Sequence, residues 1–184
     1  MRSMSFHWIL ATHWTLAMAL AASSGTASQK SFPVGTKAPM IASPQWINTE
    51  PLGSSDLEGK ILLVQFWTFG SVECMRTVPA MRKLRKLLPA SEVVVVGVHT
   101  PESDHEKELP HLRDAIRSLE IDYPVAVDND RVIWKGFHNR SWPRLYVVDR
   151  RGVIRYVHAG DLREHTARWD ELLEVISRLR KELS

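Results

Sequence analysis

Apolar residues in this chain come in continuous runs and in stepped runs, and the two kinds alternate. Ile61 to Trp67 is apolar except for Gln65, and Val93 to Val98 opens with four consecutive valines. Short unbroken runs of this kind fit central strands covered on both faces, and β-branched side chains favour extended over helical backbone. Between them the period changes. Cys74, Val78, Met81, Leu84 and Leu88 step by three or four and make one helix face, which Pro79 is expected to kink and Pro89 closes. Leu109, Leu112, Ala115, Ile116 and Leu119 predict a second helix, from about His105 to Leu119. Tyr123 to Val127 reads as a short strand, and Ile133, Trp134 and Phe137 as a brief helix after Asp128-Asn129-Asp130. A last helix from Glu164 to Leu183 buries Trp169, Leu172, Leu173, Ile176 and Leu179.

Turn chemistry connects these elements. Arg144 to Val148 and Val153 to His158 flank Asp149-Arg150-Arg151-Gly152, a hairpin signal. Residues 28 to 60 carry Pro33, Pro39, Pro44 and Pro51, spaced to prevent helix, so an extended opening segment with short strands is expected. Strands alternating with helices predict an α/β sandwich: a central mixed sheet with helices on both faces. The early strands can pair in parallel through helical crossovers, while the hairpin forces an antiparallel edge.

The first residues follow another pattern. Arg2 precedes a mostly apolar run from Phe6 to Ala22, and the small residues Ser23-Ser24-Gly25-Thr26-Ala27 follow, which is the order of a secretory signal. His7, Thr12, His13 and Thr15 leave the run short of a membrane span of roughly 20 apolar residues. Residues 1–27 are therefore read as a signal peptide, with an uncleaved anchor as the alternative, and residues 28–184 as one domain. The expected destination is periplasmic or extracellular, with membrane contact only if the leader stays. A composition of 44% hydrophobic and 24% charged residues calls for no second domain. The net charge is +3, and the densest basic run, Arg82-Lys83-Leu84-Arg85-Lys86, lies near the end of a predicted helix, where cations oppose the negative dipole end. That placement makes a solvated face, and no nucleic-acid partner is expected.

Cys74 is the only cysteine, and it sits where a strand turns into a helix. A helix start favours a thiolate, and a lone cysteine in an oxidising compartment suggests a free reactive group or an intermolecular bond. The competing reading is a small buried residue on the helix face shared with Val78 and Met81. Ser71, three positions earlier, is placed to cap the helix, its oxygen accepting from the Cys74 N–H and its hydroxyl near the sulfur. It has no neighbouring base to make it a nucleophile. Glu73 works against a thiolate, and Arg76 is placed to offset it. The eight histidines show no tight ligand spacing, and His99, His138 and His158 read as polar loop or strand-end residues, so neither a metal nor a cofactor is expected.

Phe66-Trp67-Thr68, Ser71-Val72-Glu73-Cys74, Arg76-Thr77-Val78-Pro79, Gly97-Val98-His99-Thr100-Pro101-Glu102, Ile121-Asp122-Tyr123-Pro124-Val125, Asp128-Asn129-Asp130 and Trp142-Pro143 together resemble the thioredoxin-like superfamily. The likeness is to its redoxin branch, which includes TlpA-type proteins and the C-terminal domain of the DipZ cytochrome c biogenesis proteins, and it covers about residues 33 to 182. It implies a thioredoxin fold, with Pro143 as the cis-proline beside the active thiol. It also implies that Ser71 and Cys74 occupy the two cysteine positions of C-x-x-C, with serine where the attacking sulfur belongs.

Three functions follow from that resemblance. The first is thiol-disulfide oxidoreductase chemistry limited to one thiol, Cys74, with Ser71 beside it, joining protein or small-molecule thiols by mixed disulfide. In the second, Ser71-Val72-Glu73-Cys74 resembles the T/S-x-x-C of a peroxiredoxin-like thiol peroxidase, although Trp67 stands where those proteins place a proline. The third is a non-catalytic binding module whose peptide groove lies near Pro143 and is lined by Trp67, Phe69 and Trp142.

Overall fold

The computed structural model describes residues 34–182, so the predicted leader over residues 1–27 lies outside the described residues. The chain forms β1 (Trp46–Ile47), α1 (Ser54–Leu57), β2 (Ile61–Trp67), α2 (Val72–Leu87), β3 (Val93–His99), a 3-10 turn (Asp104–Lys107), α3 (Leu109–Ser118), β4 (Val125–Val127), α4 (Val132–Gly136), β5 (Arg144–Val148), β6 (Ile154–Ala159) and α5 (Ala167–Lys181). The sheet has six strands in the order β1-β4-β3-β2-β5-β6. β2 pairs with β3 and β3 with β4 in parallel, whereas β2–β5, β5–β6 and β1–β4 are antiparallel. The expected mixed sheet with an antiparallel hairpin edge is present.

Alternation along the central strands sorts side chains into two layers. Ile61, Leu63 and Trp67 of β2 and Val93 and Val95 of β3 face a core shared with α2, α3 and α5. Val64, Phe66, Val96 and Val98 face the other, with Trp46, Leu57, Ile133, Trp134 and Phe137. Helices thus cover both faces, as the continuous apolar runs require.

Three sequence expectations change. A single turn of helix, α1, forms in the segment expected to hold none, because the stretch after Pro51 is free of proline and Asp56 Oδ2 accepts from Gly53 N at 2.7 Å. The helix expected from His105 starts at Leu109, since Pro110 lacks the N–H that would reach back to Glu106 and its ring would meet that carbonyl. The last helix starts at Ala167, where the Thr166 hydroxyl accepts from Trp169 N at 3.3 Å. α2 runs through Pro79 without ending.

Candidate active site

β2 ends at Trp67, and Thr68-Phe69-Gly70 carries the chain to Ser71, the N-cap of α2. Ser71 has extended φ and ψ of −98° and 123°, and its Oγ accepts from Cys74 N at 3.3 Å, the cap read from the sequence. The same hydroxyl lies 3.2 Å from Glu73 Oε2, to which it donates. The same hydroxyl pulls the Cys74 thiol down.

The Cys74 side chain is wholly buried, at 0% exposure. Burial pushes its thiol up, by more than the Ser71 hydroxyl and the Thr68 backbone N–H bring it down, and Glu73 and Glu106 push it further the same way. The helix start is outweighed: desolvation of a sulfur inside the core costs the charged form more than the hydrogen bonds offered to it return. No cation acts on the sulfur, so the offset expected of Arg76 is missing.

Glu106 escaped the sequence reading. It lies in the polar run Asp104-His105-Glu106-Lys107-Glu108, which has the pattern of an exposed turn, yet it is 5% exposed. Its carboxylate accepts from Glu102 N at 3.3 Å and from the Ser103 hydroxyl at 3.1 Å. It is seated under Gly70, where an added Cβ would come within 2.6 Å of Glu106 Oε1. Glycine is therefore needed at the turn for space.

The residues proposed to bind a partner separate. Trp142 is half-buried and packs on Trp134 with ring centroids 4.3 Å apart and the planes tilted by 36°. The Arg131 guanidinium lies 5.3 Å over the Trp142 ring and donates to the Pro101 carbonyl at 2.7 Å. The Trp142–Pro143 peptide bond is cis, as the resemblance implies, and Pro143 is buried. A shallow cavity of about 420 Å3 is lined by Gly70, Ser71, Val72, Glu73, Glu102 and Trp142. It brings Ser71 and Trp142 together. Trp67, at 0% exposure, belongs to the core and offers no surface to a ligand, because its place on β2 points it at the layer under α2. Phe69, half-buried, is the aromatic of that loop nearer the surface.

Beneath the loop lies a buried polar layer. Tyr123 Oη donates to Gln65 Oε1 at 3.2 Å. Gln65 Nε2, Trp67 Nε1 and both ring nitrogens of His99 have no hydrogen-bond partner among the described residues. His99, read from sequence as a polar loop or strand-end residue, is 0% exposed, stacks on Phe69 at 5.4 Å and meets Trp67 edge-on at 5.2 Å. Burial lowers its pKa from 6.5 to about 3, so it is a neutral ring at ordinary pH. Among the described residues no three His, Cys, Asp or Glu side chains converge to hold a metal ion.

Residues 34–157 match the AhpC/TSA family. DipZ of Mycobacterium tuberculosis is 34% identical over 119 residues, which are 63% of this chain and 17% of DipZ, so this chain corresponds to a small part of that protein. The thioredoxin-like protein YneN of Bacillus subtilis is 29% identical over 116 residues, 63% of this chain and 66% of YneN. A thiol-disulfide isomerase from Corynebacterium glutamicum superposes with a TM-score of 0.70 at 25% identity, over 83% of this chain and 98% of that one.

Proposed function

The chain belongs to the AhpC/TSA family and has a thioredoxin-like fold, and from that premise we propose that it is an exported redoxin-type module that binds a partner polypeptide at the Ser71–Trp142 face, with Cys74 held in reserve as a buried thiol. The observation that carries this reading is the zero exposure of Cys74 beside a serine in the attacking position. A surface-bound disulfide cannot reach the sulfur while the first turn of α2 is closed, and the sequence holds no second cysteine to resolve an adduct. What remains accessible at the turn is the rim of the cavity: Val72, which is 50% exposed, with Ser71, the Trp142 ring and the backbone of Gly70. A partner chain laid there has backbone groups and an aromatic anchor to bind. Export rests on the leader sequence alone.

A second reading keeps Cys74 as the reacting atom. The Ser71 hydroxyl and the Thr68 N–H both favour a charge on sulfur, which is the arrangement a nucleophile uses. When the turn opens, the Cys74 thiolate attacks a disulfide of the partner. A Cys74–partner disulfide forms, the partner's other sulfur leaves as thiolate and takes up a proton, and an external thiol must reverse the step. The peroxide-reducing reading needs the same thiolate without the opening, and burial opposes it.

Two variants separate these readings. With a client captured by the native chain, Cys74→Ala leaves binding unchanged if the face alone is used, and abolishes capture if a mixed disulfide is needed. Alkylation of folded Cys74 as fast as that of the denatured chain at neutral pH would overturn the buried-thiol premise. Ser71→Cys is expected to confer insulin disulfide reduction that the native chain lacks; equal activity in both would refute the role given to Ser71.

A further inference from the structure

An apolar-floored recess lies at the other end of β2 from Cys74. It has a volume of about 630 Å3 and is bounded by Lys37 to Ile41 of the opening segment, by α1, by Lys60 and Leu62 at the start of β2, and by Val148 to Gly152 at the turn between β5 and β6. Leu62 and Val148 are paired in the sheet, so the recess sits directly on the strand ends. Its floor reaches the second core layer through Ile41, Leu57 and Val148, which are buried, and its wall includes Met40, a large apolar side chain left 68% exposed.

The charges at its mouth do not cancel. Asp149 is 5% exposed and satisfied: its carboxylate accepts from Arg151 N and Val153 N, both at 2.9 Å, and from Arg155 at 2.9 Å. Arg150 is turned away, donating to the Leu179 and Glu182 carbonyls at 3.0 and 3.2 Å. The Lys37 ammonium donates to the Arg151 carbonyl at 2.5 Å, and neither Lys37 nor Lys60 forms an ion pair with a carboxylate among the described residues. Arg151 stands 3.8 Å from Asp149 with its side chain 74% exposed, and Glu58, the other acidic residue of the lining, has no ion pair among the described residues. The mouth is therefore cationic over an apolar floor.

We propose that this recess binds a small anionic amphiphile, its aliphatic chain against Ile41, Leu57 and Leu62 and its carboxylate at Lys37 and Lys60. The volume falls within the range of small-molecule sites, and the lining divides into an apolar floor and wall of Ala38 to Ile41, Leu57, Leu62 and Val148 and a charged mouth that can fix a ligand's orientation. The site is independent of the Ser71–Trp142 face, so either can fail without the other.

Calorimetric titration of the purified chain with decanoate, and with the uncharged decyl glucoside, tests the assignment. Decanoate is expected to bind about tenfold more tightly than decyl glucoside, and Lys60→Glu is expected to remove that preference. Met40→Asp, at an exposed position, is expected to weaken both ligands about tenfold while leaving the thermal unfolding of the free chain unchanged. Absence of decanoate binding at millimolar concentration, equal affinity for the charged and uncharged tails, or insensitivity to both substitutions would overturn the proposal. So would an acidic apolar peptide that binds the recess where decanoate does not.

Discussion

The buried imidazole of His99 should make this fold sensitive to mild acid. In the unfolded chain His99 takes a proton near pH 6.5, whereas in the folded chain, at 0% exposure with neither nitrogen hydrogen-bonded, it does so only near 3. The folded-state pKa is depressed, and the charged form is the protonated one. Stability is therefore full above the unfolded value and is lost as pH falls from 6.5 towards 3. At about pH 5, some 1.5 units below the unfolded value, each unit costing about 1.4 kcal/mol, the loss is about 2 kcal/mol. His99→Phe is the matching perturbation. A phenyl ring keeps the contacts to Phe69 and Trp67, and no hydrogen bond is forfeited because none is made. Urea denaturation at about pH 7.5 and about pH 5 should show the native chain losing about 2 kcal/mol more than the variant. The same acid-induced loss in both proteins, or an NMR titration placing the folded His99 ring near 6.5, would refute the reasoning. The effect bears on the candidate site, since Phe69, stacked on His99, belongs to the loop that leads into Ser71.

Three further outcomes follow from the turn. Ser71→Ala removes the cap on Cys74 N and should cost about 1 kcal/mol in denaturation. It also removes the hydroxyl that pulls the thiol down, so alkylation of folded Cys74 should move to higher pH; a shift to lower pH would mean the hydroxyl does not serve the sulfur. Gly70→Ala places a Cβ 2.6 Å from Glu106 Oε1 and should destabilise by about 1–3 kcal/mol, most of it recovered when Glu106→Ala is added; strictly additive costs would refute the contact. Because the folded Cys74 thiol ionises above its ordinary value of 9.0, the unfolded chain ionises first, and stability should fall as pH rises past 9.0; Cys74→Ala should lack that decline.

How much was legible depended on whether a residue's environment is set by its neighbours in sequence or by distant ones. β2 could be placed to the residue, and β3 to within one, because strands covered on both faces are apolar at every position. The Ser71 cap was readable for a similar reason, since Ser71 and Cys74 lie within one helical turn. Trp67 was misjudged: which face a strand-end side chain takes is fixed by alternation, but whether anything covers that face is decided by α2. Glu106 and His99 were beyond reach. A glutamate among charged neighbours and a histidine at a strand end carry the pattern of exposed residues, and both are buried by the Phe69-Gly70 loop folding over them. The balance of forces on the Cys74 thiol was hidden for the same reason, because helix-start electrostatics are local while the desolvation that opposes them is tertiary.

Trp142 packs against both core layers, the one beneath α2 and the one holding Trp134 and Phe137. It therefore closes the end of the sheet as a common keystone, and the two layers cannot loosen independently at that end. In native-state hydrogen exchange, a polypeptide gripping the Trp142 ring should slow amides on both sides of the sheet as one cooperative unit, including those of α4, whose Trp134 packs on that ring from the second layer. Occupancy at the face would then be readable from the far layer.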